Sequence, residues 1–306
     1  MPQSFPFRHR ELGYLALTVS DLAASLKFHL DVVGLEDRGQ TDGAQFLRCG
    51  DRDYQLLLVE GPVPGLQRVA WEVEDDRQLD AAFAHYAVQG YQPAWIDAAE
   101  ARALRLGRAF RIRQRATGIA FEYFTGMSRP VEPFRSDLAG IDRLGHVVFT
   151  VEHFDECLAE LTGTMGFLVS DYAGDGVAFL RAFPNPLHHS FAIQRGSDDH
   201  LQHVNFMVDG MDTIGTAVNR LNDSGTPIVF GPGKHFPSGS IFLYFLDPDG
   251  MTFEYSAGME EFPEVAARDA RRLEPSLKTI DLWGGRPDPR FGRTGAIDRG
   301  GDRPGA

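Results

Sequence analysis

The first sixty residues show the pattern of apolar and polar positions most clearly. The segment GYLALTV, residues 13–19, alternates in the way that predicts a strand with one buried face. Ser20 or Asp21 can cap a helix that carries a leucine stripe, and Gly34 predicts where that helix ends. Shorter strands are expected between residues 45 and 59. The predicted unit is therefore a strand, a helix and three further strands.

This unit returns along the chain. A strand LGHVVFTV, a helix over residues 155–161 and a stop at Gly166 repeat the first unit, since 166 − 34 = 132. Two further helices run into Gly90 and Gly225, where 225 − 90 = 135. The pattern predicts an α+β fold of four βαβββ modules in two tandem domains. Each domain is expected to be a half-open curved sheet with its helices outside and a cup inside.

The expected division is an N-terminal two-module domain over residues 1–135, a C-terminal two-module domain over 136–258 and an extension over 259–306. The extension is rich in proline, glycine and arginine, which predicts an irregular and partly mobile segment. Only its start, residues 264–273, is patterned well enough to be expected as a helix packed back on the domain.

Composition narrows the class of protein. A length of 306 residues with 43% hydrophobic and 24% charged residues is typical of a soluble two-domain protein. The net charge of −13 argues against a nucleic-acid binder. The apolar runs are too short for a membrane span and the start lacks a secretory signal, so we expect a cytoplasmic protein. Cys49 and Cys157 are expected to be buried thiols rather than a disulfide.

The two halves differ in chemistry at three repeat-equivalent positions. The pairs are Tyr14 and His146 (146 − 14 = 132), Arg68 and His203 (203 − 68 = 135), and Glu122 and Glu254 (254 − 122 = 132). Only the second half therefore has two histidines and a glutamate at equivalent points. These are the ligands of a facial triad, which leaves open positions on a non-heme Fe(II).

A structural role for each histidine is the alternative to metal binding. A buried histidine can simply bond a core carbonyl, because buried polar groups are usually paired. His146, His203 and Glu254 all lie in apolar strands, where an ionisable group needs a strong partner. Three such groups at equivalent positions favour one shared metal. Glu122 has no histidine companions, and we expect it to have a structural partner such as Arg68.

Three motifs extend this interpretation. LGHVVFTV (144–151), LQHVNFMV (201–208) and GPGKHFPSGSIFLYFLDPDGMTFEY (231–255) resemble those of the type I extradiol ring-cleaving dioxygenases of the vicinal oxygen chelate superfamily. The likeness covers about residues 10–258. It implies Fe(II), occasionally Mn(II), bound by the three ligands above. It also implies a catechol substrate, into which both atoms of dioxygen are inserted to give a muconic semialdehyde-type product.

The resemblance also implies three catalytic residues. In HHSFA, residues 188–192, the family spacing favours His189 as the acid–base histidine. His235 and Tyr244 lie 254 − 235 = 19 and 254 − 244 = 10 residues before the carboxylate ligand, as in the family. The alternatives are an exposed pair of turn histidines and an ordinary strand tyrosine.

Two departures from the family bear on the substrate. Phe230 stands where members acting on carboxylated catechols carry an arginine, and Val148 replaces a polar residue two positions after the first ligand. Both favour an apolar substituent on the ring, although Arg181 or the arginines of the extension could still meet a carboxylate. The resemblance further implies a homo-oligomer.

Three rival functions fit parts of the pattern. A 4-hydroxyphenylpyruvate dioxygenase-like Fe(II) oxygenase shares the ligand set, but HHSFA and GPGKH count against it. A glyoxalase-like isomerase usually draws ligands from both halves, which Tyr14 and Arg68 cannot supply. A non-enzymatic small-molecule-binding protein of the same fold needs no metal, so the retained ligands count against it.

Overall fold

A computed structural model of the chain describes residues 5–300, and these residues form four repeats of the expected unit. The first and second modules contain β1 (His9–Val19), α1 (Leu22–Phe28), β2 (Glu36–Thr41), β3 (Ala44–Arg48) and β4 (Leu56–Glu60), then β5 (Gly65–Val73), α2 (Asp76–Val88), β6 (Ala94–Trp95), α3 (Ala98–Ala103), β7 (Ala109–Arg113) and β8 (Ala120–Phe124).

The third and fourth modules repeat this order, except that residues 228–257 contain no counterpart of α3. They contain β9 (Ile141–Val151), α4 (Phe154–Gly163), β10 (Leu168–Ala173), β11 (Val177–Arg181) and β12 (Phe191–Arg195), then β13 (His200–Val208), α5 (Met211–Asp223), β14 (Ile228–Lys234), β15 (Ile241–Leu246) and β16 (Thr252–Ala257). The extension adds β17 (Arg271–Leu273), α6 (Leu277–Ile280) and β18 (Ala296–Ile297).

Strand pairing is the same in the two halves. In the first, β1 runs parallel to β4 and antiparallel to β5, and β5 runs parallel to β8. The resulting order is β2-β3-β4-β1-β5-β8-β7-β6. The second half has the equivalent order β10-β11-β12-β9-β13-β16-β15-β14. The prediction of an α+β fold built from four βαβββ modules is confirmed.

The helices cover the outer faces of the sheets because each presents one apolar stripe. In α5, Ile214, Ala217 and Leu221 are buried at a spacing of three and four residues, which is one face of a helix. That face packs against β14, β15 and β16. Fully burying one isoleucine or leucine side chain contributes roughly 1.5–3 kcal/mol to the free energy of folding. The inner face of each sheet is thereby left to line a cup.

Local signals set the helix bounds. The side chain of Asp21 accepts a hydrogen bond from the backbone N–H of Ala24 at 2.9 Å, so Asp21 is the N-cap of α1. A π-helical turn follows over His29–Val33. The helix ends at Gly34, whose φ of 90° suits glycine. Cys49 and Cys157 are buried free thiols, as expected.

The extension departs from the sequence expectation. Residues 264–273 do not form a helix, and within them only β17 is regular, lying parallel to β10. The physical reason is that residues 271–273 pair in extended form with β10, where the backbone N–H of Arg271 also donates to Asp171 at 2.9 Å. The side chains of Arg268 and Arg271 bond the same carboxylate. Farther on, β18 pairs with both β5 and β13, which ties the two halves together.

Within residues 5–300, no helix has the length and apolar character required to cross a membrane.

Candidate metal centre

Strand register brings the two histidines and the glutamate of the second half to one point. Asn205 in β13 lies opposite His146 in β9 and opposite Glu254 in β16. His203, two residues earlier on β13, lies opposite Val148. Side chains two apart on a strand share a face, so all three groups point into the cup of the C-terminal sheet.

One ligand atom from each of the three side chains lies close enough to the other two for all three to bind a single ion. The Nε2 atoms of His146 and His203 are 3.0 Å apart, and they lie 3.0 Å and 3.2 Å from Oε2 of Glu254. All three side chains are buried. The structure therefore brings together the ligand set expected from the repeat.

This arrangement fits a cation. Both carboxylate oxygens of Glu254 are buried, and neither makes a hydrogen bond within the described part of the chain. A buried carboxylate without partners is costly unless an ion compensates it. Burial lowers the pKa of His203 to about 4, which keeps its ring neutral and able to bind a metal. Two imidazole nitrogens and one carboxylate oxygen suit Fe(II) or Mn(II).

The orientation of His203 is fixed from outside the centre. Its Nδ1 is hydrogen-bonded to the side-chain oxygen of Gln202, so Nδ1 carries the proton and Nε2 is left for a metal. Gln202 is itself covered by Gly292 of the extension, where an added Cβ would meet the Gln202 side chain at 2.8 Å. The extension thus supports a ligand that lies about ninety residues earlier in the chain.

His235 and Tyr244 form a bonded pair beside the centre. Nε2 of His235 lies 3.0 Å from the Tyr244 hydroxyl and 3.8 Å from Oε1 of Glu254. Nδ1 of His235 donates to the carbonyl of Ile280 at 2.6 Å, which fixes the ring. Burial raises the pKa of Tyr244 well above its ordinary value, so its phenol stays protonated and can donate a hydrogen bond.

His189 lies on the other side of the metal ligands. Its ring centroid is 4.2 Å from that of His146, and its side chain faces the same cavity. His188 turns the opposite way and bonds Asp171 at 2.8 Å. Both histidines are buried, so the alternative of an exposed pair of turn residues is wrong.

A cavity of about 460 Å³ opens above the three ligands. Its walls include every residue that the sequence placed at the site, namely His146, Val148, His189, His203, Phe230, His235, Tyr244 and Glu254. Arg181 does not line the cavity, because its guanidinium bonds the carbonyl of Val169 at 2.7 Å.

Sequence reasoning missed the wall that the extension supplies. Thr279, Ile280, residues 287–289 and residues 291–293, which include Phe291 and Arg293, also line the cavity. Residues 287–293 lie in irregular backbone, and Thr279 and Ile280 lie in α6, a helix of only four residues, so neither strand nor helical periodicity could place them. The proline- and glycine-rich composition that predicted a mobile segment gave no sign of this role.

Comparisons with known proteins agree with this geometry. The model of the Glyoxalase/Bleomycin resistance protein/Dioxygenase superfamily matches residues 11–94 and 143–255, which is more than half of the chain. A biphenyl-2,3-diol 1,2-dioxygenase of Paraburkholderia xenovorans is 28% identical over 80% of this chain and 87% of its own. An iron-dependent extradiol dioxygenase of Rhodococcus jostii is 23% identical over 90% of this chain and 96% of its own.

A solved structure shares the whole architecture. The Mn(II)-bound glyoxalase from Novosphingobium aromaticivorans superimposes with a TM-score of 0.84 at 24% identity, covering 95% of this chain and 96% of that one. At that identity the likeness establishes the fold. Together with the family match, it confirms the superfamily predicted from the motifs. The chain belongs to the Glyoxalase/Bleomycin resistance protein/Dioxygenase superfamily.

Proposed function

We propose that the protein is an extradiol ring-cleaving dioxygenase that acts on a catechol with an apolar substituent and yields a muconic semialdehyde-type product. The main support is one observation. Three ligand atoms lie within 4.8 Å of one another and face a cavity that also holds His189, His235 and Tyr244. A relative named as a diol dioxygenase, similar over most of both chains, is consistent with this proposal.

We propose Fe(II) as the metal, with Mn(II) as the alternative, held by His146, His203 and Glu254. The ligand set is typical of non-heme Fe(II) sites, and the similar proteins include one named for iron and one solved with manganese. When bound, the ion would supply Lewis-acid and redox chemistry for a catechol and dioxygen. All three ligands come from the C-terminal domain, which counts against an isomerase site shared between the halves.

The surrounding residues would move and hold protons. His189 would take the second catechol proton and return one as the ring opens. Burial lowers the pKa of His189 well below its ordinary value, so the ring is neutral and has a lone pair that can accept this proton. With Nδ1 of His235 donating to Ile280, its Nε2 accepts the Tyr244 hydroxyl proton, so on substrate binding that proton would turn from Nε2 to the substrate oxygen nearest to Tyr244. His235, bonded to Tyr244 at 3.0 Å, would orient that hydroxyl. Holding all these groups around one ring lowers the entropic cost of reaction.

The walls support an apolar ring substituent. Phe230 stacks nearly parallel to Tyr244 at a centroid distance of 5.9 Å, and Phe291 closes the corner at 5.6 Å from Phe230. Val148, two residues after His146, also lines the cavity. These surfaces favour an alkyl or aryl group by burying it. Arg293 also lines the cavity, so a carboxylated catechol belongs in the test.

The decisive experiment is anaerobic loading with Fe(II) or Mn(II), followed by a panel of catechols. The panel should contain unsubstituted, alkyl, aryl and carboxylated members, each followed for a new visible absorbance when air is admitted. We expect the yellow ring-opened product, with kcat/KM highest for an alkyl or aryl catechol. Metal-loaded protein that cleaves none of them would contradict the function, and a preference for the carboxylated member would contradict the substrate class.

The variant His189→Phe tests the acid–base role. It should lower kcat by about 10²–10⁴-fold, the usual contribution of a general acid–base group. Metal content should stay near that of the wild type, because the ring of His189 is not among the ligands. Normal turnover by this variant would show that another group moves the proton. The homo-oligomeric state and the cytoplasmic location stay predictions.

A further inference from the structure

A chain of buried polar contacts leads from His189 away from the cavity. Nδ1 of His189 lies 3.0 Å from Nδ1 of His188, and Nε2 of His188 lies 2.8 Å from Oδ2 of Asp171. All three side chains are buried. The chain ends at the C-terminal extension, which the family motifs do not cover.

Two arginines of the extension hold Asp171. Arg268 places its two terminal nitrogens 2.9 Å and 3.0 Å from the two carboxylate oxygens, and Arg271 adds Nε at 3.0 Å and Nη2 at 2.5 Å. Glu260 pairs with Arg268 at 2.7 Å, so two carboxylates balance two guanidinium groups. Asp171 is therefore an ionised acceptor fixed in position.

This contact pattern determines which nitrogens carry protons. A carboxylate can only accept, so Nε2 of His188 must donate to Asp171. Burial lowers the pKa of His188, which favours the neutral ring. In a neutral imidazole that donates through Nε2, the other nitrogen, Nδ1, carries a lone pair and can only accept. Nδ1 of His188 can consequently accept only from Nδ1–H of His189. Nε2 of His189 is therefore the nitrogen left with a lone pair, and the His189 side chain lines the cavity.

We propose that Asp171 and His188, clamped by Arg268 and Arg271, are positioning residues that fix the proton of His189 on Nδ1 and present its Nε2 lone pair to the substrate. The inference rests on the proposed function, in which His189 is the base. The same contacts serve both protonation states, because Nδ1–H still donates to His188 after Nε2 has accepted a proton. The extension would thereby control the tautomer of a catalytic group about eighty residues earlier.

A second metal site in this cluster is the competing interpretation. Asp171, His188 and Glu260 have ligand atoms within 4.8 Å of one another. Their carboxylates, however, already accept hydrogen bonds from Arg268 and Arg271, and two adjacent guanidinium groups would repel a cation. The cluster is better described as a closed ion-pair network that carries a hydrogen-bond chain.

The test compares His188→Phe with His188→Gln in the Fe(II)-loaded protein. Phenylalanine removes the chain, whereas the amide of glutamine can donate to Asp171 and accept from His189. For His188→Phe we expect kcat to fall by about 10–100-fold, as for other partners that orient a working group, with KM and metal content within about twofold. His188→Gln should recover most of kcat. His29→Phe is the matched control, because it removes another buried histidine outside the cavity.

Anaerobic binding of 4-nitrocatechol supplies a readout that needs no turnover. The visible spectrum of this probe shows whether one or both hydroxyls are ionised. Wild type and His188→Gln should bind it as the dianion, and His188→Phe should retain a proton. If the wild type does not ionise 4-nitrocatechol, both the proposed function and the positioning role of Asp171 and His188 are contradicted. If wild type and His188→Phe ionise 4-nitrocatechol equally, or if their kcat values match, only the positioning role of Asp171 and His188 is overturned.

Discussion

In the N-terminal half the carboxylate of Glu122 is enclosed by hydrogen bonds, whereas in the C-terminal half the carboxylate of Glu254 accepts none from residues 5–300. Glu122 accepts from the Tyr14 hydroxyl and from Arg111 at 2.7 Å and 3.2 Å, with Arg68 at 3.6 Å. The expected contact with Arg68 is confirmed, and the sequence did not indicate the closer ones from Tyr14 and Arg111.

The backbone positions of the two carboxylates correspond in register. Ala70 in β5 lies opposite Tyr14 and Glu122, as Asn205 in β13 lies opposite His146 and Glu254. Side chains alone therefore make the difference. Tyrosine and arginine donate hydrogen bonds that satisfy the buried carboxylate of Glu122, whereas two imidazole rings leave the carboxylate of Glu254 available to a cation. The two halves place a structural ion pair and a candidate metal centre at equivalent positions of one scaffold.

Glu254→Ala should break the comparison most strongly. Removing the only anionic ligand should reduce bound Fe(II) to background after desalting. Ring cleavage should fall by more than the roughly 10–100-fold that an outer partner costs. Metal analysis measures the first effect, and turnover of the catechol with the highest kcat/KM in the panel measures the second. Retention of a full equivalent of iron would show that the carboxylate is not a ligand.

Glu122→Leu should instead act on stability. It leaves Arg68 and Arg111 without their buried carboxylate, and uncompensated buried charges of this kind cost about 3–5 kcal/mol. Arg111 keeps a bond to Glu100 at 2.9 Å, so the lower end of that range is expected. The urea midpoint should fall, while iron content stays unchanged in the folded protein.

Glu122→Gln is the control for this variant, because it keeps the shape and one acceptor oxygen. It should destabilise less than leucine does. Iron loss in either Glu122 variant, at a temperature where the protein is folded, would contradict the separation of the two centres.

The comparison between halves also explains what could be predicted from sequence. His146, His203 and Glu254 stood out because the repeat supplied an internal reference in which only chemistry changed. The fold followed from the same repetition of alternating strands and capped helices. The roles of His189, His235 and Tyr244 needed family spacing, because no local pattern distinguishes a cavity histidine from a core one.

The extension could not be predicted because its order comes from distant contacts. Arg268 and Arg271 reach Asp171 about a hundred residues away, and Phe291 reaches the cavity from a stretch without periodicity. An arginine in a sequence indicates charge but not direction. The expected helix over residues 264–273 failed for this reason, since local propensity was outweighed by ion pairs that only the assembled sheet provides.

The smallest predicted effect is a change in stability at the N-caps of α1 and α4. Asp21 and His153 are repeat-equivalent positions, since 153 − 21 = 132. Asp21 caps α1 through its side chain, whereas His153 at the start of α4 makes no capping bond. Asp21→Ala should therefore lower the free energy of unfolding by about 1 kcal/mol. His153→Ala should stay within about 0.5 kcal/mol of the wild type. Urea midpoints measured at constant m-value would check the pair. Equal losses would show that equivalent positions carry equivalent capping energy, contrary to the geometry.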